Sequence, residues 1–346
     1  MATRDVNAVS QRMPRLLPWL GAGISWAVAG GLTAWAAARV TGADRVDRID
    51  APVTALLSFT PQAAAAAPLA ALGLAAARQR GPAVTAALAA AALVAVTGSR
   101  AIRRPQPKAS GPVLRVLTVN VLCGRADAEA VVALVRQTGA DALFLQELTD
   151  DAVTRLGQAG LDDLMPQKTI ELRGSSLGSG IYSRFPLNEG RPLAPAYAAQ
   201  PTAVLKLPGG EAVELGCVHP RAPLPASPRA LARWRQELGV LPPPAELPRV
   251  LAGDFNATLD HAPLRGVLRL GYADAARAVG NALAPTWGPL GRPALITIDH
   301  VLVDRRCAVL ASSVHVIPGT DHRAVYAEIR LPELTQPRGT LRRLRG

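Results

Sequence analysis

In the first hundred residues, charged side chains lie only in the segments before, between and after three apolar runs. Residues 16–38, 61–77 and 81–99 contain no charged side chain and are rich in Ala, Leu and Val. The first run is long enough to span a bilayer as a helix, and the other two are near the lower limit. We therefore predict three membrane helices, near residues 16–38, 61–77 and 82–99. The alternative is a soluble alanine-rich helical hairpin, and a cleaved signal peptide is disfavoured because two further runs follow the first.

Positive charge is concentrated in the same part of the chain. Residues 1–109 hold 12 Lys and Arg against 4 acidic residues, residues 110–335 hold 22 of each, and residues 336–346 add four Arg. A net charge of +12 often indicates a nucleic-acid ligand, but here it flanks the apolar runs. One basic cluster is predicted to contact anionic lipid headgroups instead. It consists of Arg100, Arg103, Arg104 and Lys108.

The three cysteines, at positions 123, 217 and 307, all lie after the apolar runs. Their odd number and their spacing are not those of a disulfide framework or a zinc site. We predict ordinary buried or part-buried thiols.

After the apolar runs, the pattern changes to strand and helix signals. Residues 113–121 and 141–147 are rich in Val and Leu, and residues 126–139 between them have helical spacing, which predicts a β-α-β unit. Strands outnumber helices, so two packed sheets flanked by helices are predicted. Further strands are predicted at 180–185, 203–207, 212–219, 249–255, 296–304 and 324–331, and helices at 228–239 and near 262–270. The predicted organisation is a membrane domain (1–99), a basic Pro-rich linker (100–112), an α/β body (113–331) and a basic tail (332–346).

Polar side chains stand where the predicted strands end. Taken alone, each has an ordinary explanation as a cap, a turn residue or an exposed loop residue. Together they occupy the strand ends at which α/β folds build their sites. They are Asn120, Glu147, His219, Asp254, Asn256, Asp299, His300, Asp321 and His322.

This residue set suits metal-assisted cleavage of a phosphate ester. The reaction requires charge to be neutralised on the phosphoryl oxygens and a water to be held in line with the leaving group. Mg²⁺ is usually held by one or two carboxylates together with the substrate phosphate. A His oriented by a carboxylate can act in acid–base or electrostatic catalysis near neutral pH. Asp254 and Asn256 are therefore predicted to hold the water rather than only to form a turn.

Seven motifs in order resemble those of the endonuclease/exonuclease/phosphatase superfamily, which includes DNase I-like nucleases, neutral sphingomyelinases and inositol-polyphosphate 5-phosphatases. They are LTVNV (117–121), LFLQE (143–147), GIYSR (180–184), VHP (218–220), GDFN (253–256), TIDHVL (297–302) and GTDHRAV (319–325). The apolar N-terminal runs, HPRAP before a Trp-containing helix, GDFNAT and PTW are similar to the membrane-anchored bacterial branch. That branch includes VanJ-type teicoplanin-resistance proteins.

The resemblance implies a DNase I-like four-layer α/β sandwich and a metal-dependent phosphoric ester hydrolase that uses Mg²⁺, with Mn²⁺ as the alternative ion. It implies roles for the matching residues by position. Glu147 is the main metal ligand, with Asn120 and Asp321 near the metal. Asp254 and Asn256 position and activate the water. Asp299 orients His322 on the phosphate, and His219 contacts a phosphate oxygen or assists the leaving group. Tyr182, Arg184 and Trp287 are expected at the rim of the substrate site.

Two departures from the family pattern concern the strand ends. Thr320 stands where many relatives have Ser, and Leu122 stands where the abasic-site nucleases have the Asp of an Asn-x-Asp pattern. The first is mild, whereas the second counts against an abasic-site nuclease.

Three functions remain open. The preferred one is a membrane-anchored phosphoesterase with membrane lipids as partners, acting on a phosphate ester or pyrophosphate of a lipid or envelope-related substrate, since tethering raises the effective concentration of such a substrate. The second is a DNase I-like nuclease, disfavoured because the body has no surplus of Lys and Arg for a nucleic-acid backbone. The third is an inactive binding module.

The orientation of the membrane domain is the remaining question. With a cytoplasmic N-terminus, five basic residues fall inside and seven outside, so the positive-inside rule favours the opposite orientation. The resemblance implies a cell-membrane protein with an extracytoplasmic catalytic body, and that is the localisation we predict.

Overall fold

The computed structural model describes residues 17–45, 51–174, 176–223 and 227–333. Its N-terminal part contains four helices. They are α1 (Leu17–Thr41), α2 (Ala51–Leu57), α3 (Thr60–Ala76) and α4 (Arg80–Gly98). The apolar runs thus coincide with α1, α3 and α4, whereas the short helix α2 was not predicted. The basic tail predicted at 332–346 lies outside the described residues beyond position 333.

The three long helices bury small side chains and expose large ones. Their contacts are made mainly by alanines, including Ala29, Ala67 and Ala86, each fully buried. Most of the large apolar side chains described in these helices point outward, as at Leu69 and Leu88, each 70% exposed, whereas Leu93 is buried among the alanines. This arrangement is the reverse of a water-soluble helical bundle, which buries its large apolar side chains.

By length and composition, one helix among the described residues could cross a membrane. It is α4, with a mean hydropathy of 1.7 and 39% of the window buried. The core helix of a soluble protein can meet the same test, so the prediction of three transmembrane helices is not confirmed.

The body forms two six-stranded mixed sheets. The strands are β1 (Val113–Asn120), β2 (Ala142–Gln146), β3 (Gln167–Glu171), β4 (Ser179–Ser183), β5 (Leu187–Glu189), β6 (Thr202–Lys206), β7 (Ala212–Val218), β8 (Arg249–Asp254), β9 (Tyr272–Asp274), β10 (Asp299–Asp304), β11 (Ala308–Val316) and β12 (Arg323–Arg330). The helices are α5 (Ala128–Thr138), α6 (Asp150–Gln158), α7 (Leu161–Leu164), α8 (Pro228–Gly239), α9 (Ala262–Arg269) and α10 (Ala275–Ala278). One sheet has the order β11-β12-β1-β2-β4-β3 and the other β5-β6-β7-β8-β10-β9.

The two sheets pack face to face, with helices on both outer faces. Val116 and Phe144 of the first sheet share a buried cluster with Val250 of the second. A second cluster joins the first sheet to α5 and α6, and a third joins the other sheet to α8 and α9. The fold is therefore the α/β arrangement of two mixed sheets with flanking helices that the sequence predicted.

Each sheet contains one central parallel pair. β1 runs parallel to β2, with Asn120 opposite Gln146, and β7 runs parallel to β8, with Val218 opposite Gly253. Gly253 has a φ of 149°, and a Cβ there would lie 2.1 Å from the Val218 carbonyl oxygen, so no larger residue fits this close pairing. The carboxyl ends of these four strands supply Asn120, Glu147, His219 and Asp254 of the site, whereas Asp299 begins β10 and Asp321 and His322 precede β12.

A buried ion cluster attaches the N-terminal helices to the body. Asp260, in the loop between β8 and α9, pairs with Arg39 of α1 at 2.5 Å and with Arg100, which follows α4. Burial alone would raise the pKa of Asp260, but Arg100 and then Arg39 lower it. Arg100 is only 4% exposed. The prediction that Arg100 contacts lipid headgroups is therefore wrong, because the side chain is neutralised inside the protein.

The Pro-rich segment 100–112 follows the surface of the body. The Arg104 amide donates to the Ala278 carbonyl at 2.9 Å, and Gln106 Oε1 accepts from the Val309 amide at 2.9 Å. These contacts hold the predicted linker against the body as far as β1.

Arg100→Met should destabilise the protein by about 3 kcal/mol, because it leaves the buried Asp260 carboxylate with Arg39 alone. Arg103→Met is the matched control, since that side chain is exposed and is expected to change the free energy of unfolding by less than about 0.5 kcal/mol. Urea unfolding of the purified full chain would measure both. Equal effects of the two variants would contradict a structural role for the ion cluster.

Candidate active site

The polar strand ends of both sheets open into one cavity of 520 Å³. Glu147 comes from the end of β2, His219 from the end of β7, and Asp254 from the end of β8. The cavity is also lined by Asn256, Trp287, Asp321 and His322. Asn120 and Asp299 lie behind this lining, fully or almost fully buried, and contact it through hydrogen bonds.

Asn120 connects the two sheets at the floor of the cavity. Its side-chain Nδ2 donates to Glu147 Oε1 at 3.2 Å and to Asp254 Oδ2 at 3.1 Å. Its Oδ1 accepts from the Leu122 amide at 3.0 Å. Both carboxylates are therefore held at fixed positions by one buried amide.

Glu147 receives a second set of donors from the loop after β1. The Cys123 amide and thiol donate to Glu147 Oε2 at 2.9 and 3.2 Å. Partial desolvation by the surrounding loop raises the pKa of the Cys123 thiol to about 11, and its hydrogen bond to the Glu147 carboxylate adds to the shift. This thiol is exposed, so the prediction of a buried or part-buried side chain is wrong for Cys123, whereas Cys217 and Cys307 are buried.

Left-handed backbone is concentrated at this site. Of the five non-glycine residues with positive φ in the described chain, four lie beside the cavity: Leu122, Cys123, Glu147 and Asn256, with φ between 47° and 56°. Such conformations cost free energy and persist where the surrounding structure enforces them. Here they turn the chain sharply at the strand ends, so that the side chains enter the cavity.

Asp254 is a buried carboxylate with donors on both oxygens. The Asn256 amide donates to Oδ1 at 2.8 Å, in addition to Asn120 on Oδ2. Burial raises the pKa of Asp254 to about 7, although the positive charge of His322 opposes the shift. The Asn256 side chain is fixed separately, because its Nδ2 donates to the Pro220 carbonyl at 3.1 Å.

His322 and Asp299 form a buried pair. His322 Nδ1 lies 3.0 Å from each Asp299 oxygen, and its Nε2 lies 3.8 Å from Asp254 Oδ2 and 3.9 Å from Asp321 Oδ1. Burial opposes the charged form, but the Asp299 carboxylate, aided by Asp254 and Asp321, raises the pKa of His322 to about 10. The imidazole is therefore a cation at neutral pH.

Thr320 fixes the backbone of the last loop. Its hydroxyl donates to the Asn120 carbonyl at 2.9 Å and accepts from the His322 amide at 3.1 Å. A serine hydroxyl could make the same two bonds, which explains why the departure from the family pattern is mild.

His219 differs from His322 in charge. Burial lowers the pKa of His219 to about 4, so the ring is neutral near pH 7. Its Nε2 lies 4.0 Å from Asp254 Oδ2, and its buried Nδ1 has no hydrogen-bond partner. The site thus holds one cationic and one neutral imidazole on either side of Asp254.

Two groups of residues could hold a divalent cation. Asp254, Asp299 and His322 each offer a ligand atom within 4.8 Å of the others. In that group, however, His322 Nδ1 is already bound to Asp299, and the raised pKa of His322 favours the protonated ring, which cannot bind a metal. The other group is Glu147 with Asp321, which line the same cavity, and the buried Oδ1 of Asp321 has no hydrogen-bond partner. Carboxylate oxygens are the ligands that Mg²⁺ prefers, so the second group fits the ion better.

The three predicted rim residues lie in different places. Trp287 lines the cavity, and its indole nitrogen donates to Asp321 Oδ2 at 3.0 Å. Tyr182 is 1% exposed and packs in the cluster between the first sheet and its helices. Arg184 lies past the far end of β4, 4.0 Å from Asp141. The rim prediction is wrong for Tyr182 and Arg184, because antiparallel β4 runs away from the cavity and turns Tyr182 to the helix side.

Three features of the site were not predicted. Thr286 Oγ1 accepts from the Asp299 amide at 3.1 Å, which fixes the start of β10. His300, next to Asp299, faces away and binds Asp274 and the Ala257 carbonyl, each at 2.8 Å. The third is a cavity wall from the N-terminal region, made by Thr54, Ala55, Ser58 and Phe59. Since they lie outside every motif, local sequence gave no signal for these four residues.

The raised pKa of His322 should make the stability of the metal-free protein depend on pH. The unfolded histidine has a pKa near 6.5, so the folded state binds more protons between pH 6.5 and about 10. Its contribution is complete below pH 6.5 and is lost as the pH rises through 10. In EDTA, the difference in melting temperature between the wild type and His322→Gln should narrow from about pH 6.5 to about pH 9.5. A constant difference would contradict titration of His322 in this range.

Comparison with protein-family models identifies one family. The model of the Endonuclease/Exonuclease/phosphatase family matches residues 117–322, which is more than half of the chain. A search of curated protein sequences finds no significant match.

Several solved structures are similar in fold to this chain. D. rerio TDP2 with 14 humanising mutations is 17% identical, with a TM-score of 0.51 over 63% of this chain and 98% of that chain. A Beutenbergia cavernae family protein is 21% identical, with a TM-score of 0.49 over 64% and 72% of the two chains. An AP endonuclease from Archaeoglobus fulgidus is 14% identical, with a TM-score of 0.48 over 62% and 98%. On the match to the family model, the chain belongs to the endonuclease/exonuclease/phosphatase family of hydrolases.

Proposed function

We propose that this protein is a membrane-anchored, divalent-metal-dependent phosphoesterase that hydrolyses a phosphate ester or pyrophosphate of a lipid or envelope-related substrate. The observation that carries the proposal is the convergence of Glu147, Asp254, Asp321 and the His322 cation on one cavity. Carboxylates that bind a metal and a buried cation that faces the same space are what phosphoryl transfer requires.

The side chains divide the chemistry among them. The His322 cation contacts a phosphoryl oxygen and offsets its negative charge, and Asp299 keeps the ring oriented and protonated. Asp254 accepts a proton from the attacking water, since a carboxylate with a pKa of about 7 can exchange protons near neutral pH. The neutral His219 lines the same cavity and can donate a hydrogen bond from Nε2 to an oxygen of the phosphate or of the leaving group.

Glu147 and Asp321 would hold the cation, with Asn120 orienting Glu147 from behind. A bound Mg²⁺ or Mn²⁺ would supply Lewis-acid stabilisation of charge on the phosphate. The backbone amide of Asn256 donates to Asp254 and orients it. The side chain of Asn256 donates to the Pro220 carbonyl.

Membrane anchoring is supported by the packing of the N-terminal helices. Helices that meet through alanine and expose leucine suit a lipid environment, in which small residues permit close helix contact and large apolar residues face the acyl chains. The hydropathy of α4 agrees with this. Similarity to the membrane-anchored branch that includes VanJ-type proteins supports an extracytoplasmic body.

A nuclease is the competing function. One related structure is a 3′ phosphatase from Neisseria with a product DNA hairpin, and another is D. rerio TDP2 with a single-strand DNA product. Those ligands belong to those proteins. The present chain has equal numbers of acidic and basic residues in positions 110–335, which disfavours strong binding to a phosphate backbone.

The test is a substrate comparison with the purified full chain in detergent or vesicles. Phosphatidic acid, a polyprenyl pyrophosphate and duplex DNA would be assayed with Mg²⁺, with Mn²⁺ and with EDTA. We expect turnover of a lipid phosphate that EDTA abolishes. Faster cleavage of DNA than of every lipid would favour the nuclease, turnover in EDTA would contradict metal dependence, and no turnover would leave a binding module.

A further inference from the structure

We infer that the N-terminal segment Thr54–Phe59 forms one wall of the substrate site and selects phosphate esters that carry an apolar chain. The inference rests on the proposed phosphoesterase function and adds a specificity element from outside the region matched by the family model, residues 117–322. Its basis is that Thr54, Ala55, Ser58 and Phe59 line the same cavity as the polar residues of the active site.

The cavity is chemically divided. The polar side chains lie at the strand ends, whereas apolar side chains supply much of the remaining lining, including Leu177, Ala198 and Ile296 together with Ala55 and Phe59. A ligand that fits both parts has a phosphate at one end and a hydrocarbon group at the other.

Positive charge for a polyanion is scarce in this lining. Arg221 is the one Lys or Arg among the described residues of the cavity wall, and its guanidinium lies 4.3 Å from the centre of the Tyr197 ring. A nucleic-acid backbone would present several phosphates and would need more such contacts. One phosphate with an apolar substituent matches the cavity better.

The N-terminal wall is fixed to the loop that carries the catalytic motif. His261 Nδ1 accepts from the Thr258 amide at 2.9 Å, so its Nε2 carries the proton and donates to the Thr54 carbonyl at 2.8 Å. Asp44, in the turn that follows α1, accepts from the Ala262 amide at 2.7 Å. The His261 bond holds α2 against the loop that follows Asp254 and Asn256. The Asp44 bond and the Asp260 ion cluster hold the end of α1 and the segment after α4 against the same loop.

Two adjacent side chains of α2 provide a matched pair for a test. Ala55 is half-buried and lines the cavity, whereas the adjacent Leu56 is 51% exposed and does not line it. Ala55→Trp therefore fills the apolar part of the site, and Leu56→Trp adds the same indole on the outside of the same helix. Phe59→Ala tests the wall in the other direction, by opening it.

Each substrate pair would share a reacting group and differ in its apolar part. The first pair is dioctanoyl phosphatidic acid and glycerol 3-phosphate, and the second is farnesyl pyrophosphate and isopentenyl pyrophosphate. We expect the wild type to favour the larger member of at least one pair by about tenfold or more in kcat/KM, as apolar burial predicts. Ala55→Trp should lower kcat/KM for that member by about tenfold and for its smaller partner by less than about threefold.

The two other variants complete the experiment. Phe59→Ala should reduce the preference for the larger member, and Leu56→Trp should leave both members within about twofold of the wild type. Equal losses on both members, or no change with either cavity variant, would overturn the inference while the phosphoesterase function stands. If the wild type turns over no member of either pair, the proposed function fails for these substrates. Calorimetric titration with dioctanoyl phosphatidic acid then decides the inference, because Ala55→Trp should weaken binding by about tenfold and Leu56→Trp should not.

Discussion

Asp254→Asn is expected to lower kcat by about a thousandfold, the range observed when a general base is removed. The substitution conserves shape but removes the negative charge between the two imidazoles. In the wild type, Asn120 Nδ2 donates to Asp254 Oδ2 at 3.1 Å. In the variant, the side-chain amide of the new asparagine replaces that carboxylate. Steady-state kinetics on the best substrate would measure the loss, and circular dichroism would verify the fold.

A second buried carboxylate in the same sheet provides the control. Asp274 pairs with His300 at 2.8 Å, and both side chains are buried outside the cavity lining. Asp274→Asn should therefore lower the melting temperature and leave kcat within about twofold of the wild type. Similar losses of kcat for both variants would mean that Asp254 acts through stability, and an unchanged kcat for Asp254→Asn would refute its role as the base.

Glu147→Gln is expected to abolish the response of the protein to divalent cations and to lower kcat by about a thousandfold or more. In the wild type, Mg²⁺ that binds only the folded state should raise the melting temperature with increasing concentration. Glutamine retains the size of the side chain but lacks the charge that attracts the ion. A thermal titration with MgCl₂, followed by an activity assay, would measure both effects.

The same titration distinguishes the two candidate metal groups. Glu328→Gln is the control, since this carboxylate lies on β12, 3.7 Å from Arg115, and does not line the cavity. It should keep the full response to Mg²⁺. If Asp299→Asn abolishes the response and Glu147→Gln retains it, the cation is held by Asp254, Asp299 and His322 instead.

Local sequence was sufficient to predict the strands and the polar residues that follow them. The Val- and Leu-rich segments around Val116 and Phe144 are buried on both faces of their sheet, and such strands have continuous apolar runs that are visible without a structure. Residues such as Glu147 and Asp254 stand directly after those runs. Their meeting in one cavity depended on more than local sequence, because Glu147 follows β2 of one sheet and Asp254 ends β8 of the other, and the packing of the two sheets brings them together.

The side of a sheet that an individual residue faces was harder to predict from the sequence. All five residues of β4 are buried, so neither hydropathy nor burial distinguishes the side that Tyr182 faces. Its direction depends on the antiparallel pairing of Leu143 with Tyr182, which sets which residues of the strand turn toward the helices. Arg184 was misplaced for a related reason, because a strand read along the sequence does not reveal which of its ends lies at the site.

The sequence alone determined the family, the two-sheet architecture and the residues that could perform phosphoryl chemistry, since periodicity and motif spacing are local properties of the chain. Only the tertiary structure decided that Arg39 and Arg100 neutralise Asp260 and that Ala55 and Phe59 border the active site. These contacts join residues about 160 to 220 positions apart. Their physical reason is the packing of the N-terminal helices on the loop after β8, which no local pattern specifies.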